Sequence, residues 1–232
     1  MPTRAARPPA TQAAPSSSDQ TRAALIRAGL RLFGAKGFAG TSTRDIAGLA
    51  NANIGSIAYH FGGKEGLRAA CATHIVETIR AVAAQALGPD LTAPAPQAGP
   101  EAAAAILKAA LERMINFVVA RPEAGEIVQF IVRELSQPTA ALDIIYDGVF
   151  EPTHRRLCDI WQQATGEPAE SDRTKLTVFT LIGQVVYFRI AREPVLRRMG
   201  WTTIGKAEAA AVLDVAAANL NAILTDRKGR KP

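Results

Sequence analysis

The chain has 232 residues, of which 48% are hydrophobic and 6% aromatic. This length allows one sizeable helical core or a small domain joined to a larger one, and the Ala-rich, aromatic-poor composition predicts an all-α protein. The formal net charge of +6 is confined to residues 1–64, which hold eight Lys or Arg and two Asp or Glu, whereas the remainder holds nineteen of each. The neutral remainder argues against a second nucleic-acid surface. Two widely separated cysteines give no disulfide framework or zinc cluster, and they indicate a reducing cytoplasm.

The first 18 residues are predicted to form a disordered N-terminal arm. They are rich in Pro, Ala, Ser and Thr and lack an apolar run that could bury surface. No apolar segment of signal-peptide length follows the early arginines, although the Arg-rich, acid-poor arm also resembles a transit peptide. From Gln20 the apolar spacing predicts a first helix, which Lys36 and Gly37 should end.

Two short helices joined by a tight turn are predicted between Ser42 and Lys64. Ser42 precedes an apolar-periodic run and Asp45 follows three residues later, as in a capping box, so the first helix should begin near Thr43. Asn51 should end it, because Asn tolerates the left-handed conformation of a sharp helix stop. This arrangement is a helix-turn-helix motif.

The second of these helices should present a surface suited to a DNA groove. Asn53 can cap it, and it should span residues 54–61 with Ile54, Ile57 and Phe61 facing the core. The other face is small, polar and aromatic, and it consists of Gly55, Ser56, Tyr59 and His60. A basic segment that coincides with such a motif indicates phosphate binding, whereas a charged segment alone is more often a solvated surface.

The segments TSTRDIA, IGSIAYHF and GGKEGL resemble the N-terminal motif of the TetR/AcrR family of transcriptional regulators over residues 21–67. Asn51 departs from the usual turn Gly, and Ala58 replaces the usual first Tyr of the recognition helix, which leaves the aromatic contact to Tyr59. The segments PTAALDIIYDGVFEP and LIGQVVYFRIAREPVLRRMGW resemble the regulatory domain of a branch that we term CerR-type. The resemblance implies a homodimer that binds a palindromic operator, responds to a ligand and acts as a repressor.

By match to the family motif, the helix-turn-helix should supply the DNA contacts. Arg44 should read a guanine edge in the major groove through two hydrogen bonds, with Ser56 as a weaker base contact. Phosphate contacts are expected from Thr43, Tyr59, His60 and Lys64. The whole predicted DNA-binding set is Ser42, Thr43, Arg44, Asn53, Gly55, Ser56, Tyr59, His60 and Lys64.

A long helix from Lys64 to about Leu87 should join a DNA-binding domain, residues 19–66, to a regulatory domain, residues 67–225. A rigid helix shared by both domains is a natural lever for moving the DNA-reading helices. A Pro/Gly-rich loop follows it. The chain should end in a basic tail, residues 226–232, which we interpret as a solvated terminus rather than a DNA contact.

The regulatory domain is predicted to be a helical bundle. Apolar-periodic segments occur at about 101–120, 123–136 and 139–165, and Pro152 should kink or restart the last one. The family resemblance places a ligand pocket among these helices. Its candidate contacts are Phe117, Arg133, Tyr146, His154 and Trp161, although residues of these types are more often surface ion pairs or satisfied core groups.

The last two long helices are predicted to form the dimer interface. Apolar residues recur at three- and four-residue intervals in both, and Gly183 and the alanines permit close helix approach, so two helices from each chain could form a four-helix interface. The alternative is an ordinary core within one chain. The predicted interface residues are Phe179, Gly183, Val186, Tyr187, Ile190, Val212, Ala216, Leu220 and Ile223.

The sequence contains no recognisable catalytic, metal or cofactor motif. His60, His74 and His154 lack the close spacing of metal ligands, and neither GxSxG nor a P-loop occurs. We therefore predict a non-enzymatic regulator whose partners are operator DNA, a second copy and a small-molecule effector, without a membrane. The alternatives are an activator, a ligand-independent DNA-bound organiser, and an enzyme with a helical pocket.

Overall fold

The structure is a computed structural model that describes residues 16–228. Throughout this part of the chain the regular secondary structure is helical, which confirms the predicted all-α class. The α-helices are α1 (Ser17–Lys36), α2 (Thr43–Leu49), α3 (Gly55–Phe61), α4 (Lys64–Leu87), α5 (Pro100–Ile115), α6 (Glu123–Ser136), α7 (Ala140–Ile145), α8 (Glu151–Thr165), α9 (Asp172–Ile190), α10 (Arg192–Met199) and α11 (Lys206–Lys228). A first π turn (Asn116–Ala120) follows α5, and a second π turn (Tyr146–Phe150) follows α7.

Helix α1 begins earlier than the sequence predicted. The Ser16 hydroxyl accepts a hydrogen bond from the Asp19 amide at 3.1 Å, and the Asp19 carboxylate accepts one from the Ser16 amide at 3.3 Å. This capping box places Ser17 and Ser18 in the helix, so the predicted arm of residues 1–18 is too long at its C-terminal end. The rest of that arm, residues 1–15, and residues 229–232 of the predicted basic tail lie outside the described residues.

The first three helices pack together with the start of α4. Leu25 and Phe33 of α1, Ile46 of α2 and Ile57 of α3 are at most 2% exposed. Ile54 was predicted to share this core, but half of its surface is exposed because it precedes the first turn of α3 instead of lying within the helix. The buried residues come from all three helices, so the motif rests on one small core.

The helix α4 continues from this core into a larger bundle. It packs against α1 and α3 near its start, and against α5, α7 and the second π turn further along. A second contact joins the two parts, because α1 packs along α6. The approach there is close: a Cβ added to Gly34 would lie 3.1 Å from the Phe130 amide nitrogen. The N-terminal unit is therefore held to the bundle by α4 and by α6.

The predicted segment 139–165 is a nearly continuous helix made of α7, the second π turn and α8. Pro152 lies in the first turn of α8, directly after the second π turn, and the carbonyl four residues before it, Gly148, accepts a hydrogen bond from Arg80. The helix changes from π to α geometry just before Pro152, where the sequence predicted a kink or a restart. Arg156, further along α8, is 2% exposed and donates to the carbonyl of Leu87, which ties the end of α4 to α8.

The faces of α9 and α11 that were predicted to form the dimer interface differ in how much of them is buried within the single chain. On α11, Val212, Ala216 and Leu220 are at most 6% exposed because they pack into the core, where α11 contacts α5 and the first π turn. Their prediction as dimer-interface residues is therefore wrong, and the alternative of a core within one chain holds for them. By length and composition α11 alone among the helices of residues 16–228 could cross a membrane, but its inner face belongs to this core.

Candidate DNA-binding interface and regulatory region

The start of α2 has the predicted capping box. The Ser42 hydroxyl accepts from the Asp45 amide at 3.0 Å, and the Asp45 carboxylate accepts from the Ser42 amide at 3.3 Å. These bonds to Ser42, first from its side chain and then from its backbone, lower the pKa of Asp45 below its usual value. The side chain of Ser42 is thereby committed to the helix start, which orients the two residues that follow it, Thr43 and Arg44.

The turn between α2 and α3 is fixed by two asparagines. Asn51 has a φ of 50°, and it is the one non-glycine residue with a positive φ among residues 16–228. The Ala52 amide then donates to the Ala47 carbonyl at 2.9 Å, which closes the turn. Asn53, the residue before the N-cap of α3, accepts from the Gly55 amide at 2.8 Å through its side-chain oxygen. Asn51 has the role that the sequence predicted, whereas Asn53 bonds to the first residue of α3 from one position before the N-cap.

The outward face of α3 is aromatic and open. Tyr59 is 81% exposed, and its ring lies edge-on to His60 with centroids 4.9 Å apart. Gly55 is exposed, and Ser56 is partly so. Tyr59 therefore has both its ring and its hydroxyl free to contact a partner.

Two exposed arginines lie on the helices that pack against α3. Arg44 is exposed at the second position of α2, without a hydrogen bond or ion pair to any residue in 16–228. Arg22 of α1 lies over the ring of Phe61, 5.5 Å from its centroid, next to the end of α3. Exposed guanidinium groups on helices next to an open helix face favour the binding of a polyanion such as DNA.

Lys64 has a contact that the sequence did not indicate. Its ammonium donates to the carbonyls of Phe38 at 2.7 Å and Thr41 at 2.8 Å. Two of its three donors are therefore used within the protein. The phosphate contact predicted for Lys64 would have to use the third donor. Within the protein, Lys64 holds the start of α4 against the connection between α1 and α2.

The five residues predicted to line a ligand pocket lie in different surroundings. Phe117 is buried in the first π turn, Tyr146 is 53% exposed, and Trp161 is fully buried with its indole donating to Glu167 at 2.9 Å. Arg133 donates to the Ala35 carbonyl at 3.2 Å, at the contact between α6 and α1. His154 lies 3.2 Å from the Lys175 carbonyl through Nε2.

Two surface grooves are present elsewhere. One, of about 320 Å³, lies between α1, the end of α2 and α6, and the other, of about 870 Å³, lies between the start of α5 and the end of α8. Neither groove is lined by any of the five predicted residues. In the single chain their side chains fill the core, bond to neighbouring groups or face solvent, and the pocket that they were predicted to form stays a prediction.

The outer face of α9 is apolar and uncovered in the single chain. Phe179, Tyr187 and Ile190 are each more than half exposed, and Val186 is partly buried. A Cβ added to Gly183, in the middle of this face, would meet no heavy atom within 4 Å. The α9 part of the predicted dimer interface is thus available to a partner.

The fold and this surface together define an all-helical DNA-binding protein of the helix-turn-helix class. Residues 25–71 match the family described as bacterial regulatory proteins, tetR family, and residues 103–226 match the C-terminal domain of the HTH-type transcriptional dual regulator CecR. The chain belongs to the TetR family of bacterial transcriptional regulators, as the motif resemblance predicted. The branch that we termed CerR-type is matched by the CecR domain.

The chain also resembles individual proteins along most of its length. It is 32% identical to the HTH-type transcriptional dual regulator CecR of Shigella flexneri over 210 residues, which cover 89% of this chain and 92% of that protein. A candidate transcriptional regulator from Pseudomonas aeruginosa PAO1 superposes with a TM-score of 0.65 at 19% identity, covering 90% and 93% of the two chains. AibR, crystallised with isovaleryl coenzyme A and operator DNA, has a TM-score of 0.63 at 16% identity and coverages of 86% and 97%.

Proposed function

We propose that this protein is a homodimeric repressor that binds a palindromic operator and is released by a small-molecule effector in the cytoplasm. The proposal of DNA binding is supported by the helix-turn-helix motif itself. A capping box fixes the start of α2, two asparagines fix the turn that follows it, and α3 then presents Tyr59 81% exposed. In helix-turn-helix proteins the second of two such short helices enters the major groove. Arg44 would then read a base edge, while Thr43, Tyr59 and His60 contact phosphates.

A second copy is proposed to cover the outer faces of α9 and α11. The face of α9 that carries Phe179 and Gly183 adjoins the outer face of α11, because Asn219 of α11 donates to Gln184 of α9 at 3.3 Å. The outer face of α11 is exposed and small, and it consists of Ala211, Val215, Ala218 and Ala222. This set replaces Val212, Ala216 and Leu220 in the proposed interface. Small side chains let helices from two chains approach closely.

Effector control is supported by the family and by the neighbours. The AibR structure contains both a coenzyme A thioester and operator DNA, which shows for that protein that one chain of this fold holds both kinds of partner. In this chain α4 packs both against the helix-turn-helix unit and against the regulatory bundle. A ligand that favours one arrangement of the bundle would therefore change the distance between the two α3 helices of a dimer. The ligand class stays open, since neither described groove is lined by the five candidate residues.

A second mode of regulation, activation at some promoters, is favoured by the relative in Shigella flexneri, because that protein is named a dual regulator. Repression needs only occupancy of the operator, whereas activation also needs a contact with the transcription machinery. The two modes are distinguished by transcript levels of the genes next to each bound site in a strain that lacks the protein. Genes that rise on deletion are repressed, and genes that fall are activated.

The experiment that tests the proposal starts from selection of duplex DNA from a random-sequence pool by the full chain. A two-fold symmetric sequence whose half-sites lie one helical turn apart, about 34–36 Å, is expected from two copies on one face of DNA. Footprinting on the selected duplex should protect both half-sites. Selection of no sequence above the starting pool would contradict the DNA-binding role.

A further inference from the structure

The last turn of α6 contacts the DNA-binding unit at two points. Arg133 donates to the Ala35 carbonyl near the end of α1, and the neighbouring Glu134 forms an ion pair with Arg68 of α4. Glu134 is 1% exposed and the Arg68 side chain 12%, so the pair is almost fully removed from water. Arg68 approaches one carboxylate oxygen through both Nε, at 2.8 Å, and Nη2.

The second oxygen of Glu134 is occupied from the regulatory side. The Thr139 hydroxyl donates to it at 2.7 Å, and the same hydroxyl accepts from the Ala141 amide at 3.3 Å, capping α7. The carboxylate of Glu134 therefore joins three helices, α4, α6 and α7. A buried ion pair contributes little net stability after desolvation, but loss of one partner is costly because it leaves a charge buried alone. Such a group selects one arrangement of the helices around it.

The contacts continue from Arg68 into the DNA-binding motif. The Arg68 guanidinium lies 4.9 Å from the Phe38 ring centroid, and Lys64 lies 4.1 Å from it on the same ring. Lys64 in turn donates to the carbonyl of Thr41, the residue before the Ser42 cap. A continuous series of bonded groups thus runs from the start of α7 to the start of α2.

The same regulatory segment is joined to α4 a second time. At the second π turn, Arg80 donates to the Gly148 carbonyl at 2.6 Å. A Cβ on Gly148 would lie 2.7 Å from a methyl carbon of Val76, so the backbone of this turn rests directly on α4. The segment formed by α7 and the second π turn is therefore attached to α4 at both of its ends, over roughly three turns of that helix.

We propose that this segment, residues 140–150, is the part of the regulatory domain whose position sets the position of the DNA-reading helices, and that the Arg68–Glu134–Thr139 network is the contact that transmits it. The inference rests on the proposed DNA-binding function and names how that function is regulated. A ligand that moves α7 away from Glu134 breaks the network and frees α4. By reciprocity, DNA that fixes α4 must make residues 140–150 harder to open.

This reciprocity provides a test that needs no effector. Amide hydrogen exchange is measured in the full chain with and without the duplex that the wild-type protein selects from a random pool. In the wild type, DNA should slow exchange in residues 140–150 by about 5–150-fold, the usual range of coupling between two sites. Glu134→Gln and Thr139→Val should lose this slowing while they still bind the duplex, and Thr139→Ser, which keeps the hydroxyl, should retain it.

Matched controls come from an exposed ion pair and an exposed threonine. Glu193 of α10 pairs with Arg197 at 2.7 Å on the surface, so Glu193→Gln removes the same kind of charge without a buried network. Thr73→Val removes a hydroxyl from the exposed side of α4. Both should respond to DNA as the wild type does.

The inference and the DNA-binding function fail in different ways. Wild-type protein that selects no duplex contradicts the function itself. Wild-type protein that binds its duplex without any slowing in residues 140–150 overturns the inference alone. The inference is also overturned if Thr139→Val keeps the full slowing of exchange by DNA. This variant tests the inference even if Glu134→Gln does not fold.

Discussion

Lys64 and Phe38 contact each other twice, through the ring and through the backbone. The Lys64 ammonium lies 4.1 Å from the ring centroid of Phe38 and donates to its carbonyl at 2.7 Å. Since Lys64 starts α4 and Phe38 lies in the connection between α1 and α2, one side chain fixes the direction of the linking helix against the DNA-binding core.

We therefore expect Lys64→Met to destabilise the protein by about 1–2 kcal/mol. The substitution keeps an apolar stem over Phe38 but removes the donor from two carbonyls; a hydrogen bond to a charged group contributes about 1.5–3 kcal/mol, and the lower part of this range applies because Lys64 is only partly buried. The free energy of unfolding from denaturant titration measures the effect. Lys108→Met, on α5, is the control, and equal loss in both variants would contradict the role of Lys64.

Arg44→Ala should reduce discrimination between the selected duplex and a scrambled one. A good bidentate contact to a base contributes about 1–3 kcal/mol of discrimination, and Arg44 is exposed with no partner inside residues 16–228. Fluorescence anisotropy with both duplexes measures the ratio of the two affinities. Arg113→Ala, an exposed arginine of α5, should leave the ratio unchanged, and an unchanged ratio for Arg44→Ala would remove that residue from base recognition.

Gly183→Arg should abolish self-association without unfolding the chain. Because a Cβ at Gly183 meets no atom within 4 Å, the single chain accommodates the new side chain, whereas a partner helix at about 8–10 Å does not. Sedimentation velocity with circular dichroism separates the two effects. Gly99→Arg, at another open position, should sediment as the wild type does, and a stable dimer of Gly183→Arg would place the interface elsewhere.

Both cysteines should resist thiol reagents in the native protein at pH 8. Burial raises the pKa of Cys71 to about 12, and burial, with nearby acidic groups, raises that of Cys158 to about 11. Because each folded pKa lies above the ordinary value of 9.0, the neutral thiols favour the folded state below about pH 9, and this contribution falls as the pH rises through 11–12. Colorimetric titration should count both thiols only after unfolding. Fast reaction of either in the native state would contradict its burial.

Gly148→Ala should be destabilising, and Val76→Ala should relieve it. The added Cβ would lie 2.7 Å and 2.9 Å from the two methyl carbons of Val76, and overpacking of this kind typically costs about 1–3 kcal/mol. A double-mutant cycle in the free energy of unfolding measures the coupling. Strictly additive effects of the two substitutions would show that the second π turn does not rest on α4 in solution.

Local signals in the sequence were sufficient for the DNA-binding motif. The cap at Ser42, the turn at Asn51 and the side-chain bond of Asn53 depend on neighbours within two to five residues, so residue types at short spacing predicted this turn. The start of α1 was missed because its serines resemble a flexible arm by composition. The ring contact of Lys64 was missed because its partner, Phe38, lies 26 residues away.

The same distinction explains the errors in the regulatory domain. Helix α11 is rich in alanine on every side, so its sequence does not reveal which side faces the core of its own chain, and Val212, Ala216 and Leu220 were predicted to lie in the dimer interface. Arg133 was a reasonable candidate for a ligand contact by its position in a central helix. Its actual partner, the Ala35 carbonyl, is 98 residues away, and no local pattern specifies such a pairing.

The second π turn is the place where the helix from α7 to α8 can change its number of residues. A π turn holds one residue more than the α-helical turn it replaces, so deletion of one residue within 146–150 would give regular α-helix while α7 and α8 keep their facing. The same deletion at the start of α8 would rotate everything after it by about 100°, the angle between successive residues of an α-helix. Trp161, fully buried in α8, would then leave the core together with Arg156. Chains that share this bundle should therefore differ in length within this turn and not in the α-helical turns that follow it.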